Sequence, residues 1–225
     1  MRSSKTWLNR LADGGMHSLK ELVRYGAHPQ TLRRMVDAGR LVNPAHGLYQ
    51  AAEAASEFTA FEQFAVIAKV APGSLIWLLS AAQFHEITQV MPDGIYTAVR
   101  TSQRGVITPG GEFGFTEVKV TRLANEASFN IGVDKVKIRG VDVAVTSPER
   151  TIVDMWRYSV LNTKLQQRYV KIDEETFFDA MASYASKFEE DGLSKISAMA
   201  LEFGVFESMA PHLKSFEAGS KMVRP

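Results

Sequence analysis

Between Ser18 and Gln50 the chain reads SLKELVRYGAHPQTLRRMVDAGRLVNPAHGLYQ, two short runs of helical period and one alternating pair, separated by glycines. Few folds accommodate that punctuation. Ser18 followed by Glu21 is a capping box, in which the Ser hydroxyl accepts from a free first-turn N–H and the Glu reaches back to the Ser amide. Leu19, Leu22 and Val23 then form one apolar stripe, and Gly26 can take the left-handed conformation that ends a helix. Pro29 stands where a first helical turn tolerates it, Leu32, Met35 and Val36 repeat the stripe, and Gly39 stops the second helix. Leu41–Val42 and Leu48 to Gln50, separated by Asn43, Pro44, Ala45, His46 and Gly47, make a hairpin in which Gly47 supplies the positive φ.

Two helices joined by so short a turn cross steeply and leave the second one prominent. The expectation is a winged helix-turn-helix over residues 1–52, with the second helix in the DNA major groove and the hairpin as the wing. The exposed face of that helix carries Gln30, Thr31, Arg33 and Arg34 beside Asp37. Arg can fork onto guanine, Gln onto adenine, and Thr can serve phosphate or a thymine methyl. Lys20, Asn43 and His46 complete the candidate DNA-binding set. Arginines on an exposed helix are as often simply solvated, but charge favours the first reading. Residues 1 to 50 hold eight Lys and Arg against three Asp and Glu, a net of +5, and the remainder carries a net of −4. Phosphate attraction asks for such a basic front, and so modest a surplus implies salt-sensitive binding by two copies.

At 225 residues the chain is long enough for one small and one medium domain. It has no Cys, which excludes a disulfide framework, a thiolate metal site and a cysteine nucleophile. The longest apolar run, Leu75 to Leu79, is far too short to cross a bilayer, and the N-terminus lacks the apolar core of a signal peptide. A cytoplasmic protein without membrane partners is expected.

Taken in order, residues 3 to 12 read as a leading helix with Trp7, Leu8 and Leu11 on one side, ended by Gly14-Gly15. Ala51 to Glu57 reads as a featureless connector, with a second domain over 57–217. Phe58, Phe61, Phe64, Ala65 and Ala68 mark an amphipathic core helix ended by Pro72-Gly73. A buried segment from Ile76 to Thr88 runs into a helix holding Ser80, Phe84 and His85. The period then changes to two, predicting strands at Ile95 to Arg100, Phe115 to Leu123, Phe129 to Val133, Val136 to Arg139 and Val141 to Thr146. Gly105 to Gly114 reads as a hairpin loop. Ser147-Pro148-Glu149-Arg150 starts another helix with a Ser cap, Pro at the first position and an acid near the positive dipole end, and Ile152, Val153, Met155 and Trp156 bury its inner face. The final third is helical: Asp173 caps a helix with Phe177, Phe178, Met181, Tyr184 and Phe188, Ile196 to Phe203 mark a second, and Phe206 to Phe216 a third, with a frayed tail. The fold class expected is α+β: the winged module, then a mixed α/β domain with a small, mainly antiparallel sheet and a helical C-terminal third.

Enzyme signals are sparse. Pro92-Asp93 with Glu117-Val118-Lys119 matches the skeleton of a metal-dependent nuclease, in which Asp93 and Glu117 would hold a divalent cation and Lys119 the attacking water. Pro-Asp-Gly is also a good turn, so this reading ranks third. His17, His28, His46, His85 and His212 show no zinc-binding spacing, and Ser80 lacks a nucleophile elbow. No catalytic residue, metal or cofactor is assigned.

The order of LVNPAHGLYQ, SAAQFHEIT, GVDVAVTSPERTIVDMWRYS and FGVFESMAPHL resembles the AbiEi-like antitoxins of type IV toxin-antitoxin systems. The similarity covers most of the chain and is most specific in the Gly140 to Tyr158 block, where Thr146 to Asp154 match T-S-P-x-[RK]-T-[IV]-x-D. The resemblance implies a non-enzymatic phage-defence protein, monomeric in solution or dimeric on DNA, that represses its own operon through inverted repeats and neutralises a nucleotidyltransferase-like toxin. Operator-reading positions would be Gln30, Thr31, Arg33 and Arg34, with the wing at Asn43 to Tyr49. The family's wings are often rich in Arg, and this one is not. Seven acids between Asp173 and Asp191 (Asp173, Glu174, Glu175, Asp179, Glu189, Glu190, Asp191) against Lys187 could meet the basic surface of a nucleotide-handling toxin; a solvated helix face would look the same. Ser147, Arg150, Thr151 and Asp154 read as a cap and an internal salt link. The alternative is a stand-alone winged-helix regulator whose second domain senses a ligand or dimerises.

Overall fold

The computed structural model describes residues 6–55, 61–103, 117–161 and 172–223, with backbone alone at 159–160, 189–190 and 218–223. The protein is mixed α+β, and its chain groups into two compact units. Met1–Ser74, Gln103–Val118 and Lys135–Ala144 form the first, and Leu75–Ser102, Lys119–Asp134 and Val145–Pro225 the second.

The first unit opens with α1 (Trp7–Leu11), β1 (His17–Ser18), α2 (Leu19–Arg24), α3 (Pro29–Asp37), β2 (Leu41–Val42), β3 (Leu48–Ala51) and α4 (Ala52–Ala55), followed by α5 (Glu62–Val70). Ser18 Oγ accepts from the Glu21 amide at 3.1 Å, as the capping box requires. The Glu21 carboxylate turns instead toward His17 Nδ1, 3.6 Å away. Gly26 and Gly39 both take positive φ, and Ala27 N–H and Arg40 N–H reach back to the carbonyls of Leu22 and Met35, so α2 and α3 end in the same left-handed way. Leu11, Leu22, Ala27, Leu32 and Leu41 make the core, with Trp7, Leu19, Met35, Val36 and Tyr49 packed around it. Val23 leaves the expected stripe: it is 43% exposed, because a helix of six residues buries only one line of side chains. Leu8 is exposed likewise.

The hairpin forms with Leu41 opposite Ala51 and Val42 opposite Gln50. β1 then pairs with the other edge of β3, His17 opposite Tyr49, giving an antiparallel sheet ordered β1-β3-β2. Within the connector expected at Ala51 to Glu57, Ala52–Ala55 is helical, since an alanine-rich run is a strong helix former. Phe58 and the loop from Gly105 to Gly114 lie outside the described residues.

The second sheet has the order β6-β5-β4-β8-β7, from β4 (Leu75–Ile76), β5 (Ile95–Arg100), β6 (Val118–Leu123), β7 (Val133–Ile138) and β8 (Val141–Thr146). β4 pairs antiparallel with β5, Leu75 opposite Ala98. Residues 129–133 are not the strand expected. Glu126–Phe129 is a 3-10 turn capped by Asn125, which buries Phe129, and a single strand begins at Val133. Arg139 and Gly140 both have positive φ, a two-residue turn that joins β7 to β8.

Within the second unit α6 (Leu78–Phe84) packs on α7 (Pro148–Met155), which continues as a π-helical turn through Val160. α8 (Glu174–Lys187), α9 (Glu189–Glu202) and α10 (Phe206–Val223) complete it, with α9 also against α7. α9 starts seven residues before Ile196, and α10 runs past the expected Phe216.

Candidate functional site

α3 turns Leu32, Met35 and Val36 inward, so Gln30, Thr31, Arg33 and Arg34 are left exposed on its other side. Lys20 is exposed on α2. Among the described residues Lys20, Arg33 and Arg34 form no hydrogen bond or ion pair through their side chains. A guanidinium that neutralises nothing within its own protein is free to meet an external anion.

A groove of about 560 Å³ lies between α3 and the β2–β3 turn. Gln30 and Arg33 line it from the helix, Asn43 and His46 from the turn, and Asp37 from the end of α3, over a floor that includes Leu19, Val36 and Tyr49. Four of the seven DNA-binding candidates therefore converge. Thr31, Arg34 and Lys20 do not line the groove. The start of α3 is closed to ligands: Pro29 has no N–H, Gln30 N–H donates to His28 Nδ1 at 3.3 Å, and Thr31 and Leu32 donate to the His28 carbonyl. An anion here would have to be held by side chains. The capping role of His28 went unread in the sequence, since His is not among the usual caps; its place just before a Pro at the first helical position was the available signal.

The acidic candidates are spread along the second unit. Asp173 caps α8, accepting from the Thr176 amide at 2.8 Å, and the hydrogen bonds from Thr176 hold its carboxyl below the usual range. Glu174 and Glu175 are exposed in the first turn, with Asp179 exposed a turn further on. Glu189, Glu190 and Asp191 open α9, beyond the far end of a helix about 21 Å long. Two clusters at two helix starts replace one continuous patch. Each suits its helix dipole.

Asp93, the first residue of the nuclease skeleton, is paired with Lys119 and accepts from Tyr96 Oη at 2.9 Å, and Lys119 chiefly holds its carboxyl low. Glu117 is exposed and precedes β6. Among the described residues no group of three or more His, Asp or Glu is arranged to hold a metal ion.

The Thr146 to Asp154 block is interior. Ser147 Oγ caps α7, accepting from the Arg150 amide, and Thr151 Oγ1 lies 2.7 Å from Thr146 Oγ1. Arg150 donates from Nε to Asp154 at 2.7 Å and from Nη1 to the Ile131 carbonyl at 2.7 Å, with its guanidinium 3.8 Å from the centre of the Phe203 ring. Arg157 donates to the other Asp154 oxygen at 2.9 Å. Burial pushes the Asp154 carboxyl up against the opposing pull of both guanidiniums. These groups fasten α7 to the segment before β7 and to α9, with Arg150, Thr151 and Asp154 fully buried.

Fold and groove together define a mixed α+β protein with an exposed polar surface on its third helix. No family model matches the chain, and no curated protein matches it. Three solved chains do. One, the RV2827C protein from Mycobacterium tuberculosis, known from its crystal structure, aligns over 86% of this chain and 71% of its own, with a TM-score of 0.54 and 14% sequence identity. At that identity the likeness concerns the fold alone. No helix among the described residues is long and apolar enough to cross a membrane.

Proposed function

We propose that the protein is an antitoxin of a type IV toxin-antitoxin system, in which residues 1–52 act as a winged helix-turn-helix that represses the operon and the second domain counters a nucleotidyltransferase-like toxin. The observation that carries the DNA-binding half is the convergence of Gln30, Arg33, Asn43 and His46 on one groove, beside cationic side chains that pair with no other described residue. The toxin-directed half is supported by the likeness of the Gly140 to Tyr158 block to the antitoxin family, and the exposed acids of α8, with Asp191 at the start of α9, are its candidate contact.

The test separates the two halves. The gene next to this one is expressed in a bacterial host, alone and with the full chain carrying Arg33→Ala and Arg34→Ala supplied from a foreign promoter. Growth arrest by the neighbour, relieved by the double variant, is expected, because operator binding is lost and neutralisation is kept. A toxic neighbour that the wild-type chain does not relieve defeats the antitoxin reading and leaves a stand-alone regulator.

A further inference from the structure

A reaching wing projects beyond its sheet, and this turn does not. Only five residues separate Val42 from Leu48, and Pro44 and Ala45 among them are buried. Leu48 N–H donates to the Ala45 carbonyl at 2.9 Å, and the Gly47 carbonyl accepts from Leu19 N–H at 2.7 Å, so the turn is folded down onto the start of α2. Asn43 and His46 consequently line the same groove as Gln30 and Arg33.

The chemistry of that groove is mixed. Arg33 donates, Gln30 and Asn43 donate and accept, Asp37 accepts, and Val36 adds an apolar surface. A surface built only for phosphate has no use for Asp37. Base edges in the major groove present donors, acceptors and the thymine methyl together. Resting on the reading of residues 1–52 as a DNA-binding module, the geometry points to a wing that stays out of the minor groove: Asn43 and His46 join Gln30 and Arg33 in reading one short stretch of a single major groove. Arg34, Thr31 and Lys20, which lie outside the groove, are left for the flanking phosphates.

The full chain is titrated against a duplex of its own promoter and a scrambled duplex at fixed salt, with fluorescence anisotropy as the readout. Replacing guanine by 7-deazaguanine removes a major-groove acceptor and is expected to weaken binding by roughly tenfold or more. A minor-groove ligand such as netropsin is expected not to displace the protein. Arg33→Ala and His46→Ala, separately and together, are expected to give losses that fall short of adding, as contacts to a shared site do. Displacement by netropsin, or strictly additive losses, with promoter preference intact, overturns the inference and spares the DNA-binding reading. Equal affinity for promoter and scrambled duplex removes that reading, and the inference with it.

Discussion

Asp154 accepts from two guanidiniums where neither it nor Arg150 meets solvent, and one nitrogen of Arg150, Nη2, is buried with no hydrogen-bond partner among the described residues. A network so nearly closed tolerates removal of one member poorly. Asp154→Ala should cost about 3–5 kcal/mol in urea unfolding, because an uncompensated guanidinium stays inside. Gly132 faces the same helix. Its φ is +59°, and a Cβ there would stand 2.8 Å from both Arg150 Cβ and Met199 Cε. Gly132→Ala should therefore lower stability by about 1–3 kcal/mol or more by the same measurement. His85 offers a pH readout. Its Nε2 lies 2.7 Å from the Thr146 carbonyl, and burial holds the imidazole below its ordinary value of 6.5, outweighing that carbonyl and nearby Asp134 and Glu149. The unfolded chain thus binds the proton more readily than the folded one. Stability is full above the ordinary value and falls as pH drops toward the lowered one. His85→Gln should flatten the difference between urea midpoints at about pH 7.5 and about pH 5.5.

Among the elements, α2 and α3 each hang from one fully buried leucine, Leu22 and Leu32. Leu32→Ala should cost about 2–5 kcal/mol, while Val23→Ala, on the open side of α2, should stay within about 0.5 kcal/mol in the same unfolding assay. Caps and stops were legible in the sequence because they are local: Ser18, Gly26, Pro29, Gly39, Ser147 and Asp173 each act within a few residues of chain. Elements whose reason lies elsewhere were not. β1 is two residues long and exists only because β3 offers an edge, so no period announced it. Phe129 looked like the start of a strand by alternation, yet a turn capped by Asn125 buries it more directly. For the groove, the exposed positions of α3 could be read from the helical period. The burial of Pro44 and Ala45, which aims Asn43 and His46 at it, could not.

For the whole molecule, the basic excess of residues 1 to 50 against a mildly acidic remainder makes ionic strength the natural variable. If Arg34 meets phosphate, Arg34→Ala should reduce the slope of log affinity against log salt by about one, and weaken binding to all duplexes alike. Arg33→Ala should instead narrow the gap between promoter and scrambled DNA. β3 adds a different kind of consequence. It is paired on both edges, to β1 and to β2, and Gln50 on it also donates to the Gly14 carbonyl at 2.9 Å. Inserting or deleting one residue in the turn would send every side chain of β3 to the opposite face. Divergence among descendants of this protein should therefore leave the turn length untouched and proceed by exchanging single side chains on the outer face of α3, so that new recognition arises by substitution alone.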